Sequence, residues 1–270
     1  RIVVHGIALY FVLAASTARQ ASRRYLARSL GRGATWRDVY RHFFTFASTI
    51  HDRVYLLNDR HELFDIRTHG TEALHGLHAG NQGSLLFGAH LGSFEVLRSL
   101  ARDQPRLKVA MAMHPANARQ INDTLAAINP QAMQDIIALG KVDAILTIHS
   151  RLEEGAMVGI LADRSSGPDQ YLTLPFLGAP ARFPTGPFRM AAMLRHPVYF
   201  MAGLYRGGNR YDVHFELLAD FSTAERRGRD ELVRETLERY VATLERHCLS
   251  APYNWFNFYD FWDLDRRDQA

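Results

Sequence analysis

From residue 65 onward the chain alternates between short apolar runs and stretches with helical spacing, and this alternation limits the architectures open to it. "GSLLFGA" (83–89), "LKVAMAM" (107–113), "DIIAL" (135–139), "AMVGILA" (156–162) and "VYFMAGLY" (198–205) read as strands, and "YDVHFELLAD" (211–220) adds a late one. Between them, residues 92–103, 116–127, 142–153 and 185–195 carry helical patterns. A short apolar run without polar alternation suits a strand covered on both faces, and helices must then supply the cover. The predicted fold class is α/β, a single domain with a central, mainly parallel or mixed sheet flanked by helices. Residues 230–247 predict a closing amphipathic helix with Asp230 and Glu231 in its first turn, where free N–H groups favour acids. No repeat, low-complexity tract or long linker interrupts the pattern. Residues 61–270 therefore read as the α/β domain, behind a helical region over 1–60.

That leading region is apolar first and basic second. "IVVHGIALYFVLAA" (2–15) is apolar apart from His5, yet shorter than the roughly 20 residues of a spanning helix. It lacks a small-residue cleavage site of signal-peptide type. Arg19, Arg23, Arg24, Arg28 and Arg32 follow at helical spacing. Apolar residues followed by unbalanced arginines predict a helical, membrane-associating region on an anionic leaflet; the alternative is a buried helix with a solvated basic neighbour. The formal charge is +4, and Lys108 and Lys141 are the only lysines. Arginine grips phosphate and carboxylate in two-point fashion, and the basic excess suits an anionic membrane surface, a phosphorylated carrier or nucleic acid without choosing among them. No nucleic-acid recognition motif accompanies it, so no nucleic acid is expected as a partner. Val39, Phe43, Phe46, Ile50, Val54 and Leu57 form a stripe on a further helix, read as core rather than as a lipid groove. Cys248 is the only cysteine, so no disulfide framework is available.

The chemistry is expected where strands end, because open α/β sheets gather ligands beyond their carboxyl ends. "GSLLFGA" ends in His90, flanked by Gly88 and Gly92, which permit a tight strand-to-helix turn. Glu95 follows in the first turn of the expected helix, within reach of one ring nitrogen. A carboxylate there fixes the tautomer and raises the basicity of the other nitrogen. This is a base with its orienting acid and no protein nucleophile: no G-x-S-x-G elbow is present and Cys248 lies far along the chain. The attacking group must come from substrate. Asp163 and Arg164 follow "AMVGILA" at another strand end. Arg164 is placed to bind an oxyanion or an acceptor phosphate, or the two make structural polar contacts. Thr185 and Gly186 open a helix whose N–H groups either bind an anion or are simply capped. No Cys-x-x-Cys, HExxH, P-loop or G-x-G-x-x-G occurs, so neither a metal nor a cofactor is expected. His114, His149, His196, His214 and His247 read as scattered surface or satisfied groups.

"GAHLGSFE" (88–95) resembles the HxxxxE form of the HxxxxD/E signature of the lysophospholipid acyltransferase superfamily, and more closely the bacterial lipid A late acyltransferases of lauroyl/myristoyl type. "MHPANARQIND" (113–123) and "GILADRSSGPDQYLTLPFLGAPARFPTGPFRMA" (159–191) resemble further blocks of that family, in order. The resemblance implies transfer of a fatty acyl group from a thioester, on acyl carrier protein or CoA, to a hydroxyl of an envelope lipid. His90 would serve as base and Glu95 as its orienter, on the cytoplasmic face of a bacterial inner membrane, held peripherally or monotopically. Departures exist. "FPTGPFR" (183–189) lacks the glutamate of glycerol-phosphate acyltransferases. "INPQAMQ" (128–134) stands where lipid A enzymes often carry an arginine, and "PYNWFNFYDFWD" (252–263) is acidic and aromatic where their end is basic. The acceptor therefore stays open to an aryl-polyene or xanthomonadin-like lipid. A non-catalytic lipid- or pigment-binding protein on the same fold is the alternative from another class. That tail is expected to pack under the sheet or line an acceptor groove.

Overall fold

The computed structural model describes residues 2–58, 60–72, 82–97, 108–114, 136–140, 142–164, 169–223, 225 and 228–263. The expected helix 116–127, most of "MHPANARQIND", all of "INPQAMQ" and the later part of the expected helix 92–103 lie outside them.

Nine strands are described. Seven of them, β1 (Asp65–His69), β2 (Ser84–Gly88), β3 (Val109–Met113), β4 (Ile136–Ala138), β5 (Met157–Leu161), β8 (Pro197–Gly207) and β9 (Arg210–Asp220), form one sheet in the order β1-β9-β8-β2-β5-β3-β4. Pairing is parallel throughout except between β8 and β9, which form an antiparallel hairpin. The fold is thus α/β with a mostly parallel sheet, as the alternation implies. Its central strand, β2, is buried at every residue. Leu85 and Phe87 point into one apolar layer with Phe200, Phe188 and Tyr240; Leu86 points into another with Tyr199, Met201 and Val213.

The described helices are α1 (Ile2–Ala14), α2 (Ser16–Ser29), α3 (Trp36–Leu57), α4 (Val142–Glu153), α5 (Gly186–Leu194) and α6 (Arg229–Ser250). α3 starts at a full capping box: the Thr35 hydroxyl accepts from the Asp38 N–H, and the Asp38 carboxylate accepts from the Thr35 N–H. Its stripe divides along the helix. Val39 and Phe43 are buried in the same core as the sheet, whereas Ile50 and Val54 are about half exposed. α1 and α2 meet at 97°, and no single described helix is long and apolar enough to cross a membrane.

Two features escape sequence periodicity. β1 ("DIRTH") has no apolar run because it is an edge strand, mostly exposed. β6 (Tyr171–Phe176) and β7 (Ala179–Pro184) form a separate antiparallel hairpin rich in proline, which periodicity does not mark as strand. Its two-residue turn, Leu177-Gly178, has positive φ at both positions (48° and 76°), the conformation that tight hairpins demand.

Candidate active site

The turn after β2 is stitched on both sides. Gly92 has φ of +73°, and a Cβ there would stand 1.9 Å from the Gly203 carbonyl oxygen, so only glycine fits. Ser93 N–H donates to that carbonyl at 2.8 Å, and Gly92 N–H donates to Asn254 at 2.9 Å. Phe256 N–H donates to the His90 carbonyl at 2.6 Å. The C-terminal segment 252–263 is therefore part of the wall that holds the histidine.

Register decides which acid meets the ring. β2 and β5 run parallel with Gly88 opposite Leu161, and Ala162 N–H donates to the Gly88 carbonyl at 2.9 Å. Two residues beyond each partner stand His90 and Asp163. His90 Nδ1 donates to Asp163 Oδ1 at 2.9 Å, and the His90 backbone N–H donates to Oδ2 at 3.1 Å. Trp255 Nε1 donates to the same Oδ2 at 3.2 Å. Asp163 is buried. Burial pushes its carboxyl up, but the His90 ring, its backbone N–H and the Arg164 charge outweigh that and hold it at about 2. It is a carboxylate across the physiological range. Among the described residues nothing hydrogen-bonds His90 Nε2.

Glu95 does not take the place expected of it. Its carboxylate ion-pairs with Arg53 of α3 at 2.5 Å and accepts from Ser93 Oγ at 3.3 Å. The physical reason is local: a guanidinium lies beside Glu95, and the ring nitrogen is already engaged from β5. His90, Glu95, Arg53 and Arg164 nonetheless line one cleft of about 580 Å³. Its remaining walls are largely apolar: Phe46 and Ile50 from α3, Met111 and Met113 from β3, Gly159 from β5, and Phe94, Phe256 and Phe258. Arg164 lies 5.5 Å from the centre of the Tyr259 ring. The cleft thus brings together an imidazole, two guanidinium groups and a carboxylate among largely apolar walls.

Thr185 and Gly186 do not line this cleft. The Gly186 N–H donates to Asp169 Oδ1 at 3.1 Å, so the α5 N-terminus is already met by a carboxylate of this chain. Trp255 and Arg53 are the site residues that sequence reading misses. Arg53 falls between apolar stripe positions, and Trp255 lies 92 residues from its acid.

The model of the bacterial lipid A biosynthesis acyltransferase family matches residues 7–262. Comparison with curated proteins finds no matching relative. The match runs from within α1 to the aromatic segment that walls the cleft, and takes in every cleft residue named above. On that extent, the chain belongs to the bacterial lipid A biosynthesis acyltransferase family.

Proposed function

We propose that this acyltransferase moves a fatty acyl group from a thioester, on acyl carrier protein or CoA, to a hydroxyl of an envelope lipid, with His90 as general base. One observation carries the reading: His90 is fixed through Nδ1 by a buried carboxylate and lines a cleft with apolar walls, with Nε2 unbonded among the described residues. A ring whose Nδ1–H is committed to Asp163 carries its lone pair on Nε2. Nε2 takes the acceptor hydroxyl proton as the oxygen attacks the thioester carbonyl. The tetrahedral oxyanion then collapses, the C–S bond breaks, and the same proton passes to the departing thiolate. Base assistance of this kind is worth roughly a hundred- to ten-thousandfold.

The oxyanion needs donors. Arg164 is the cleft's exposed guanidinium beside the base, and it is assigned this role. Glu95 acts through Arg53, holding a second guanidinium in the wall of the cleft. The alternative of a non-catalytic lipid-binding protein leaves an oriented imidazole in the cleft without a purpose. Membrane attachment through α1, at the cytoplasmic leaflet, fits a lipid acceptor.

The test is turnover of an acyl carrier protein thioester with extracted envelope lipids. His90→Ala is expected to abolish transfer in protein that still folds, with a lowered thermal midpoint because buried Asp163 loses a hydrogen bond. Near-wild-type turnover in folded His90→Ala protein sinks the mechanism. Arg164→Gln is expected to lower kcat by roughly a hundred- to a thousandfold with KM for acceptor little changed; a raised KM at preserved kcat assigns Arg164 to an acceptor phosphate instead.

A further inference from the structure

We propose a Zn²⁺ site on the sheet edge, formed by His69 of β1 with Asp212 and His214 of β9, that clasps the edge strand to its neighbour. Among the described strands β1 pairs only with β9, and its parallel register sets His69 directly opposite His214 and Arg67 opposite Asp212. Asp212 and His214 stand two apart on one strand, so both side chains project from the same face as His69. The two imidazole rings stack at 4.6 Å between centroids. One potential ligand atom from each of the three residues lies within 4.8 Å of the others.

Two further observations point to a cation rather than to a chance grouping. Nε2 of His214 is buried and has no hydrogen-bond partner among the described residues. A buried ring nitrogen left unpaired costs stability unless something fills the position. The second observation is the state of Asp212. Arg206 Nε donates to Oδ2 at 2.7 Å, while Oδ1 faces His69 Nε2 at 3.9 Å, too far for a hydrogen bond. One oxygen is thus oriented by an outer partner and the other is turned toward the imidazoles, the arrangement ligating carboxylates adopt. Two imidazoles and one carboxylate match the donor preference of Zn²⁺, leaving a fourth position for water. Bonds of about 2.0 Å imply ligand edges of about 3.3 Å in a tetrahedron. Rotation of the side chains closes the present spacing, and the half-exposed His69 has room to turn.

The cluster lies away from the reaction. β8 separates β9 from β2, and none of the three residues lines the cleft. The bound ion therefore acts on the sheet edge: it cross-links a short strand held otherwise by its ladder and by the packing of Ile66.

The experiment uses the full chain without an affinity tag, stripped with chelator and titrated with Co²⁺ by visible absorption and with Zn²⁺ by calorimetry. One equivalent is expected to bind, with ligand-field bands for Co²⁺ and a rise in thermal midpoint with Zn²⁺. His69→Asn, at a half-exposed position, and His214→Ala are each expected to remove the bands and the thermal shift. Arg206→Gln is expected to weaken binding by roughly ten- to a hundredfold. His90→Ala is expected to leave metal binding unchanged. Circular dichroism of the metal-free variants establishes that they are folded. The proposal is overturned if wild type binds no saturable equivalent, or if the bands and shift persist in folded His69→Asn protein.

Discussion

At the scale of single residues, the site turns on which carboxylate speaks to which base. Asp163 touches the ring and its backbone N–H at once, so it fixes both tautomer and orientation. Asp163→Asn keeps the shape and removes the charge that favours a protonated ring during proton transfer. It is expected to lower kcat by roughly a hundred- to ten-thousandfold with KM little altered. Glu95→Gln removes the partner of Arg53 and leaves the His90–Asp163 bond in place, so its effect is expected to be the smaller of the two. Steady-state kinetics on both variants check the ordering, and equal losses would return Glu95 to the orienting role. Trp255→Phe deletes one hydrogen bond to a buried carboxylate, and is expected to cost about 1.5–3 kcal/mol in chemical denaturation. The sequence makes His90 legible because a strand, two glycines and a histidine are contiguous. It leaves Asp163 open between a functional and a structural role, since the pair forms only once β2 and β5 lie side by side in one register. Trp255 carries no local signal at all: a tryptophan in an aromatic segment reads as packing until its N–H is seen to aim at an acid.

At the scale of elements, α3 and the C-terminal segment act as one wall, joined through a buried histidine. His42 donates from Nε2 to the Trp255 carbonyl at 2.8 Å, and its Nδ1 is paired with the Ser22 hydroxyl at 2.9 Å. Burial pushes its ring down to about 4, against a weaker upward pull from the Trp255 carbonyl. The folded value lies below the unfolded one of 6.5, so protons favour the unfolded chain. This contribution to stability is complete above about pH 6.5 and drains away as pH falls toward 4, with a slope of up to about 1.4 kcal/mol per pH unit. His42→Gln is expected to be less stable at pH 7 yet to show a flatter loss over that window, measured by urea denaturation across pH. The β5 strand supplies a second test. A Cβ on Gly159 would come within 2.2 Å of the Phe94 ring, which lines the same cleft. Gly159→Ala is expected to push Phe94 into the slot and raise KM most for the longest acyl donors, and Phe94→Ala in the same chain is expected to restore it. A donor-length series measures both. The α3 stripe shows why such walls are hard to read in advance. Phe43 and Phe46 share one spacing and one residue type, yet the first is core and the second faces the cleft. Periodicity gives the face of a helix but not what lies opposite each turn of it.

At the scale of the whole molecule, the proposed lipid acceptor raises the question of what would hold the enzyme at a membrane. The arginines over 19–32 are less available than their spacing suggests. Arg24 pairs with Asp260, Arg32 with Asp38, Arg28 lies over the Trp262 ring at 4.7 Å, and Arg19 donates to the Val12 carbonyl. Each fastens the N-terminal helices to the rest of the chain or to one another. Arg23 makes no such contact among the described residues, and contributes about 1 kcal/mol at most at an anionic surface. α1 is different: Ile2, Val3, Leu9, Tyr10 and Leu13 are each at least half exposed, an unusual concentration for a helix facing water. Attachment is therefore expected to be driven by apolar insertion of α1 and only trimmed by charge. Deleting residues 1–32 does not test this, because Tyr25 and Leu26 are fully buried in the main core and would leave with them. Leu9→Glu with Leu13→Glu removes apolar surface that is at least half exposed and leaves Tyr25 and Leu26 in place. At about 1.5–3 kcal/mol per leucine, the pair is expected to lower partitioning by a hundredfold or more. Arg23→Gln is expected to change it by less than about tenfold. Sedimentation with anionic and with neutral vesicles, at low and high salt, separates the two contributions. Binding that survives the double glutamate variant but vanishes at high salt assigns the surface to the arginines instead.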